Sequence, residues 1–138
     1  MDSKIIIDST AFYAGLPFRS LDKYYTTPHI GDELQRIPFF NNRIETLLNS
    51  NRLQIIDPSS ISLQSILKNS LNIENKKSLS DADISILALA KDFISEDYSV
   101  IVLTDDFAIQ NVAKKLGISY KPLLYAGIKY SGQWINYC

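Results

Sequence analysis

The chain has 138 residues, 46% hydrophobic and 21% charged, which suits one soluble globular domain with a single sizeable core. A formal net charge of -1 excludes a globally basic nucleic-acid binder while leaving room for a local basic patch. The one cysteine, Cys138, is the last residue, so no disulfide framework exists within the chain. The longest apolar stretch, Ile84 to Ala90, is far shorter than the roughly 20 residues of a membrane span, and no signal peptide is visible, so the expectation is a cytoplasmic protein with no membrane partner.

Lys4-Ile5-Ile6-Ile7 has no polar alternation, the mark of a strand buried on both faces, and predicts a first strand over Ile5 to Asp8. From Thr10 a short helix begins, which Gly15 and Pro17 bring to an end. Arg19 to Thr27 reads as loop. Thr27 as cap and Pro28 in the first turn open a helix carrying Asp32, Glu33 and Leu34, broken by Pro38. Phe40, Ile44, Leu47 and Leu48 then keep helical spacing up to the Asn49-Ser50-Asn51 turn.

Leu53 to Ile56 is the second predicted strand, and Ser59 or Ser60 caps a helix with Leu63, Ile66, Leu67 and Leu71 on its inner face. Asn72 to Ser78 is a polar linker, expected to be a mobile loop. Ser80 opens a helix to about Ser95 that is apolar nearly all round and therefore central. Val100 to Leu103 is a third strand, followed by a one-faced helix through Ile109, Val112, Ala113 and Leu116 that Gly117 ends. Ile118 to Tyr120 makes a short fourth strand. The stretch 123–138, with Tyr125, Tyr130, Trp134 and Tyr137, reads as an extension able to form a hairpin beyond a domain over 1–122. Strands alternating with helices make the fold α/β with a mainly parallel sheet.

Both long apolar runs deliver acids to the carboxyl edge of that sheet, where ligands bind in such folds: Ile7 leads to Asp8, and Leu103 to Thr104-Asp105-Asp106. Each acid also has a structural reading. Asp8 could start a turn, Asp83 stands three residues after Ser80 as in a capping box, Asp105 or Asp106 could cap the next helix, and Glu33 suits a helix dipole. Three separate elements placing acids on one rim is the stronger observation, because clustered carboxylates repel and a hard cation such as Mg²⁺ or Mn²⁺ offsets the charge. The chemistry of such a site is phosphodiester hydrolysis. The only histidine is His29, no zinc-type cluster or Gly-rich phosphate loop occurs, and no G-x-S-x-G elbow is present.

Asp8-Ser9-Thr10-Ala11-Phe12 after a strand, a glutamate on the following helix, Leu79-Ser80-Asp81-Ala82-Asp83 opening a buried helix, and Leu103-Thr104-Asp105-Asp106-Phe107 together resemble the PIN-domain ribonucleases, over essentially the whole chain and in the same order. The resemblance implies a three-layer α/β/α PIN-like fold with a sheet of about four to five strands. Within the family the chain is most similar to the archaeal and eukaryotic endonucleases that trim the 3′ end of small-subunit ribosomal RNA, through Tyr25-Thr26-Thr27-Pro28 leading to Glu33, Asp83-Ile84-Ser85-Ile86-Leu87-Ala88-Leu89-Ala90 and Phe107-Ala108-Ile109-Gln110-Asn111-Val112-Ala113. It implies that Asp8, Glu33, Asp83 and Asp106 are the catalytic and metal-binding residues, holding one or two Mg²⁺ or Mn²⁺ ions. Ser9, Thr104 and Asp105 would support them from outside, with Thr10 nearby. A departure is the zinc ribbon that normally follows: this chain ends at Trp134-Ile135-Asn136-Tyr137-Cys138, where a ribbon would begin, as a truncated chain or a natural single-domain relative. Cys138 alone cannot hold zinc, so no structural zinc is expected.

The expected activity is therefore a metal-dependent endoribonuclease acting on single-stranded RNA, with precursor ribosomal RNA and the small ribosomal subunit precursor as partners and a homodimer left open. A toxin-type ribonuclease of a toxin–antitoxin pair and a non-catalytic scaffold on a ribosome precursor are the alternatives. Arg19, Lys23, Arg36, Lys76, Lys77 and Lys114 are the candidate RNA-binding cations. Tyr24, Tyr25 or a tail aromatic are candidates for stacking on bases, against the competing reading of core packing.

Overall fold

The computed structural model describes residues 3–71 and 79–123. Strands β1 (Ser3–Ile7), β2 (Tyr24–Thr26), β3 (Leu53–Ile55), β4 (Ser99–Leu103) and β5 (Tyr120–Lys121) form one sheet in the order β3-β2-β1-β4-β5. All four pairings are parallel, and β1 runs beside β4 in register from Ser3 opposite Ser99 to Ile7 opposite Leu103. Helices α1 (Ser9–Tyr13), α2 (Leu16–Arg19), α3 (Pro28–Gln35), α4 (Pro38–Asn49), α5 (Ser60–Leu71), α6 (Asp81–Ser95) and α7 (Phe107–Leu116) flank it. The chain leaves β1 toward β2 on one side and returns to β4 on the other, so the order reverses at the β1/β4 boundary, where open parallel sheets form their ligand crevice.

The unalternated apolar runs become the two central strands because both faces of the sheet are covered. Ile6, Ile7 and Val102 are fully buried, each worth about 1.5–3 kcal/mol of transfer energy. Helix α6 is buried from Ile84 through Ala90, as an all-round apolar helix must be. No helix among the described residues is long and apolar enough to cross a membrane.

Several local expectations are corrected. Within Arg19 to Thr27, read as loop, Tyr24–Thr26 forms β2, buried along its whole length between β1 and β3. A three-residue run of aromatic and β-branched side chains is too short to carry a period but fits a pleated buried surface. Pro17 does not end a helix. Gly15, at φ 83°, turns the chain in the left-handed conformation, and Pro17 then sits in the first turn of α2, where its missing N–H costs nothing. On α5 the buried side chains are Ser62 and Ile66, while Leu67 is 39% exposed. The linker Asn72 to Ser78, the side chain of Leu71 and the tail beyond Leu123 lie outside the described residues. Leu123 itself is buried, and its N–H donates to Asp105 Oδ1 at 2.9 Å.

Buried hydroxyls tie the site elements together. Thr26 Oγ1 donates to the Ile7 carbonyl at 2.8 Å, holding β2 to the end of β1. Thr27 Oγ1 and Ser85 Oγ share a hydrogen bond of 2.7 Å, which joins the start of α3 to the first turns of α6. Glu33 and Asp83 ride on those two helices.

Candidate active site

Asp8 follows β1 directly and is the N-cap of α1, with extended backbone that turns its carboxylate back over the first helical N–H groups. Its Oδ1 accepts from Thr10 Oγ1 at 2.6 Å, Thr10 N at 3.1 Å and Ala11 N at 3.4 Å. Its Oδ2 accepts from Thr104 Oγ1 at 2.5 Å, a bond between residues 96 positions apart that closes the β1/β4 crevice. Thr104 Oγ1 in turn accepts from Asp106 N at 2.9 Å, and Gln110 Nε2 donates to the Thr104 carbonyl at 2.7 Å. Asp8 is only 2% exposed and Thr104 is fully buried, so this is an interior polar network that opens on the rim.

Asp83 and Asp106 are likewise placed at helix starts, while Glu33 sits in the last turns of α3. Asp83 accepts from Ser80 N while Ser80 Oγ accepts from Asp83 N, a complete capping box at α6. Asp106 is the N-cap of α7, with Oδ1 accepting from Ala108 N at 2.8 Å. The structural reading of these residues is thus present in full: Asp8 and Asp106 cap α1 and α7, and Asp83 completes the capping box of α6. In each of Asp83 and Asp106 one carboxylate oxygen takes no hydrogen bond among the described residues. Glu33 is exposed on the outer side of α3.

The electrostatics tie the four together. Burial pushes the Asp8 carboxyl above its usual range; hydrogen bonds from Thr10, Thr104 and Ala11 pull it back, and the charge of Asp106 raises it again. Asp83 is also raised, by burial first and then by repulsion from Asp106 and Glu33, against the stabilising bonds to Ser80. Asp106 is thus felt by two of the others and Glu33 by Asp83. Among the described residues no three Asp, Glu, His or Cys side chains stand close enough together to hold a metal ion, and Asp8, Asp83 and Asp106 each bond to their own helix start. The donor set nevertheless suits a hard cation: carboxylate oxygens alone, two of the acids held at a raised pKa by burial and like charge.

Of the supporting residues, Thr104 has the expected place, and Thr10 rather than Ser9 binds the Asp8 carboxylate. At an N-cap it is the second and third helical residues whose donors reach the cap, a rule that singles out Thr10 and Ala11 from sequence alone. Asp105 is exposed, donates its N–H to Thr10 Oγ1 at 3.1 Å and accepts from Leu123 N, so it braces the loop after β4. Gln110 and the Thr27–Ser85 pair were not anticipated.

Among the candidate cations, Lys23 precedes β2 and so lies at the amino edge of the sheet, opposite the rim, with its ammonium 5.6 Å from the Tyr25 ring. Lys114 is in the last turn of α7, about 12 Å along the helix from the Asp106 end. Arg36 is the C-cap of α3, three residues from Glu33, and Arg19 ends α2. Lys76 and Lys77 lie outside the described residues. Tyr24 and Tyr25 are 2% and 6% exposed, which makes them core residues and removes them as stacking candidates. Among the described residues the exposed aromatics, which the stacking candidates did not include, are Tyr13, Phe39 and Phe107.

Comparison with known proteins gives a consistent answer. A family described as the PIN domain of ribonuclease matches residues 5–93, a span holding Asp8, Glu33 and Asp83. A Pyrococcus abyssi protein named Endoribonuclease Nob1 is 33% identical over 137 residues, covering 98% of this chain and 77% of that protein. Ribonuclease VapC3 of Aeropyrum pernix is 31% identical over 123 residues, covering 89% of this chain and 88% of that protein. Another Endoribonuclease Nob1, from Archaeoglobus fulgidus, is 45% identical over 60 residues, 44% of this chain and 36% of that protein.

Proposed function

The chain belongs to the PIN-domain ribonuclease family, and on that footing we propose that it is a metal-dependent endoribonuclease cutting single-stranded RNA, with precursor ribosomal RNA of the small subunit as its substrate. The observation that carries this is the buried Asp8 carboxylate at the β1/β4 switch point, sharing its rim with Asp83 and Asp106 in mutual repulsion. Its similarity to proteins named Endoribonuclease Nob1 along nearly its whole length supports the substrate.

Asp8, Glu33, Asp83 and Asp106 would hold one or two Mg²⁺ or Mn²⁺ ions. The ion would supply a more acidic water and neutralise charge on the phosphate. The chain's own residues do the positioning. Thr10 and Thr104 grip the two oxygens of Asp8 so that its carboxylate cannot rotate away. Thr104 also fixes the Asp106 backbone, coupling the second acid to the first. The Thr27–Ser85 bond keeps the helix of Glu33 against that of Asp83.

The test is incubation with a small-subunit precursor RNA fragment in Mn²⁺, then with EDTA, beside Asp8→Asn. Cutting that needs both the metal and Asp8 is expected, and its position identifies the substrate; cutting by Asp8→Asn at the parent rate defeats the proposal. A toxin-type ribonuclease is the second reading, favoured by similarity along 88% of the length of Ribonuclease VapC3. Growth arrest on expression, relieved by a neighbouring small gene product, would select it. A non-catalytic scaffold predicts RNA binding with no cleavage in the same incubation.

A further inference from the structure

An acidic rim repels the phosphates it must approach, so affinity for RNA has to come from beside it. Adjacent to the rim is a cluster that the catalytic reading does not use. Tyr13 ends α1, the helix that Asp8 caps, and so stands about 7 Å from it along the axis. Its ring meets Phe40 at 5.8 Å, and Phe40 also meets Phe39 at 5.8 Å and stacks on Phe18 at 6.0 Å. Phe40 is buried, while Tyr13 and Phe39 are 53% and 66% exposed, so two open rings rest on one fixed pedestal. The exposed Arg43 guanidinium lies 4.8 Å from the Phe39 ring and 5.0 Å from the Phe18 ring, which adds a planar cation to the surface.

We propose that Tyr13, Phe39 and Arg43 form a stacking platform for unpaired bases of the RNA strand whose backbone crosses the acidic rim. The proposal rests on the endoribonuclease reading for its ligand, and three observations give it that ligand. Aromatic faces and a guanidinium plane are the surfaces on which single-stranded bases stack, without demanding a sequence. All four arginines of the chain, Arg19, Arg36, Arg43 and Arg52, fall between residues 19 and 52, with Arg19 and Arg43 on the helices that carry Phe18, Phe39 and Phe40, although the chain as a whole is acidic. Arg52 Nη2 donates to the carbonyls of Pro17 and Ser20, which pins the short helix that carries Phe18. The third exposed aromatic, Phe107, makes no ring contact among the described residues and has no such support.

The experiment is fluorescence anisotropy of an end-labelled, unstructured RNA against the full chain in EDTA, where nothing is cut. Phe39→Ala and Tyr13→Ala each weaken binding about 5- to 150-fold, the range for losing one stacked base. Phe39→Tyr restores it. Arg43→Lys weakens binding yet keeps the slope of affinity against salt, because the charge stays and the plane is lost. Ile61→Ala, at an equally open aliphatic residue on α5, leaves affinity unchanged. Replacing bases of the probe by abasic sites removes the sensitivity to Phe39→Ala. Parent-like affinity in both aromatic variants overturns the platform, and so does loss of self-association in sedimentation with RNA affinity intact, which would make the surface an interface between copies of this chain. If the parent cuts no RNA in Mn²⁺ while Phe39→Ala still weakens binding, the endoribonuclease reading fails and the platform stands. Metal- and Asp8-dependent cutting with unaltered binding sinks the platform alone.

Discussion

Replacing Asp8 by Asn isolates the charge at the centre of the site, because most of the hydrogen bonding survives. The three donors on Oδ1, from Thr10 and Ala11, meet the same carbonyl oxygen in Asn. At Oδ2 an amide replaces an acceptor, so the buried Thr104 hydroxyl loses the oxygen it donates to, at a cost of about 1–3 kcal/mol. Against that, the variant no longer buries a negative charge at 2% exposure beside Asp106. The two effects oppose, so without metal the variant should melt within a few degrees of the parent. Divalent cations separate them. A ligand at a hundred times its Kd stabilises the folded chain by about 2.7 kcal/mol. With an unfolding entropy near 0.3 kcal/mol/K for a chain of 138 residues, that raises the parent Tm by about 9 °C. Scanning calorimetry in Mn²⁺ and in EDTA should show this rise in the parent and little of it in Asp8→Asn. An equal rise in both proteins would refute the assignment of Asp8 as a ligand.

Thr104→Val removes the donor to Asp8 and the acceptor for Asp106 N together, so urea titration should register about 1–3 kcal/mol of lost stability, and cleavage should slow while RNA binding persists. The raised carboxyls of Asp8 and Asp83 mean that, between the ordinary value of about 3.9 and their folded values, the folded chain binds more protons than the unfolded one. Metal-free stability should therefore fall as pH rises through that window, and the fall should be shallower in Asp8→Asn; a rise would contradict the burial of these charges. Asp92 accepts from Ser59 N, Ser59 Oγ and Ser62 Oγ, tying the start of α5 to α6. Asp92→Ala should cost about 1–2 kcal/mol in denaturant titration with cleavage unchanged, since it lies about 14 Å along α6 from Asp83.

What could be read from the chain follows the physics of each element. β1, β4 and α6 are apolar on all sides because they are covered on all sides, and such runs announce themselves. The places of Asp8, Asp83 and Asp106 at helix starts were legible as well, because those positions have their own residue preferences. β2 was missed because its fate depends on the neighbours β1 and β3, which three residues cannot encode locally. That Thr10, and not Ser9, binds the Asp8 carboxylate follows from cap geometry, which a resemblance between motifs does not weigh. Tyr24 and Tyr25 are hidden in β2 between β1 and β3, with Tyr25 against Phe93 of α6, while Tyr13 and Phe39 are open, and that difference lies in tertiary packing beyond the reach of any local pattern.

That Asp8 and Asp106 are also the N-caps of their helices has an evolutionary corollary. Asparagine caps a helix about as well as aspartate, so under the proposed roles a change of one carboxylate oxygen to an amide nitrogen would silence hydrolysis at Asp8 or Asp106 and spare the scaffold. A gene copy can cross from scissors to inert grip in a single mutational step, with no folding crisis on the way. The reverse step is equally short, so descent within such a lineage need not track activity.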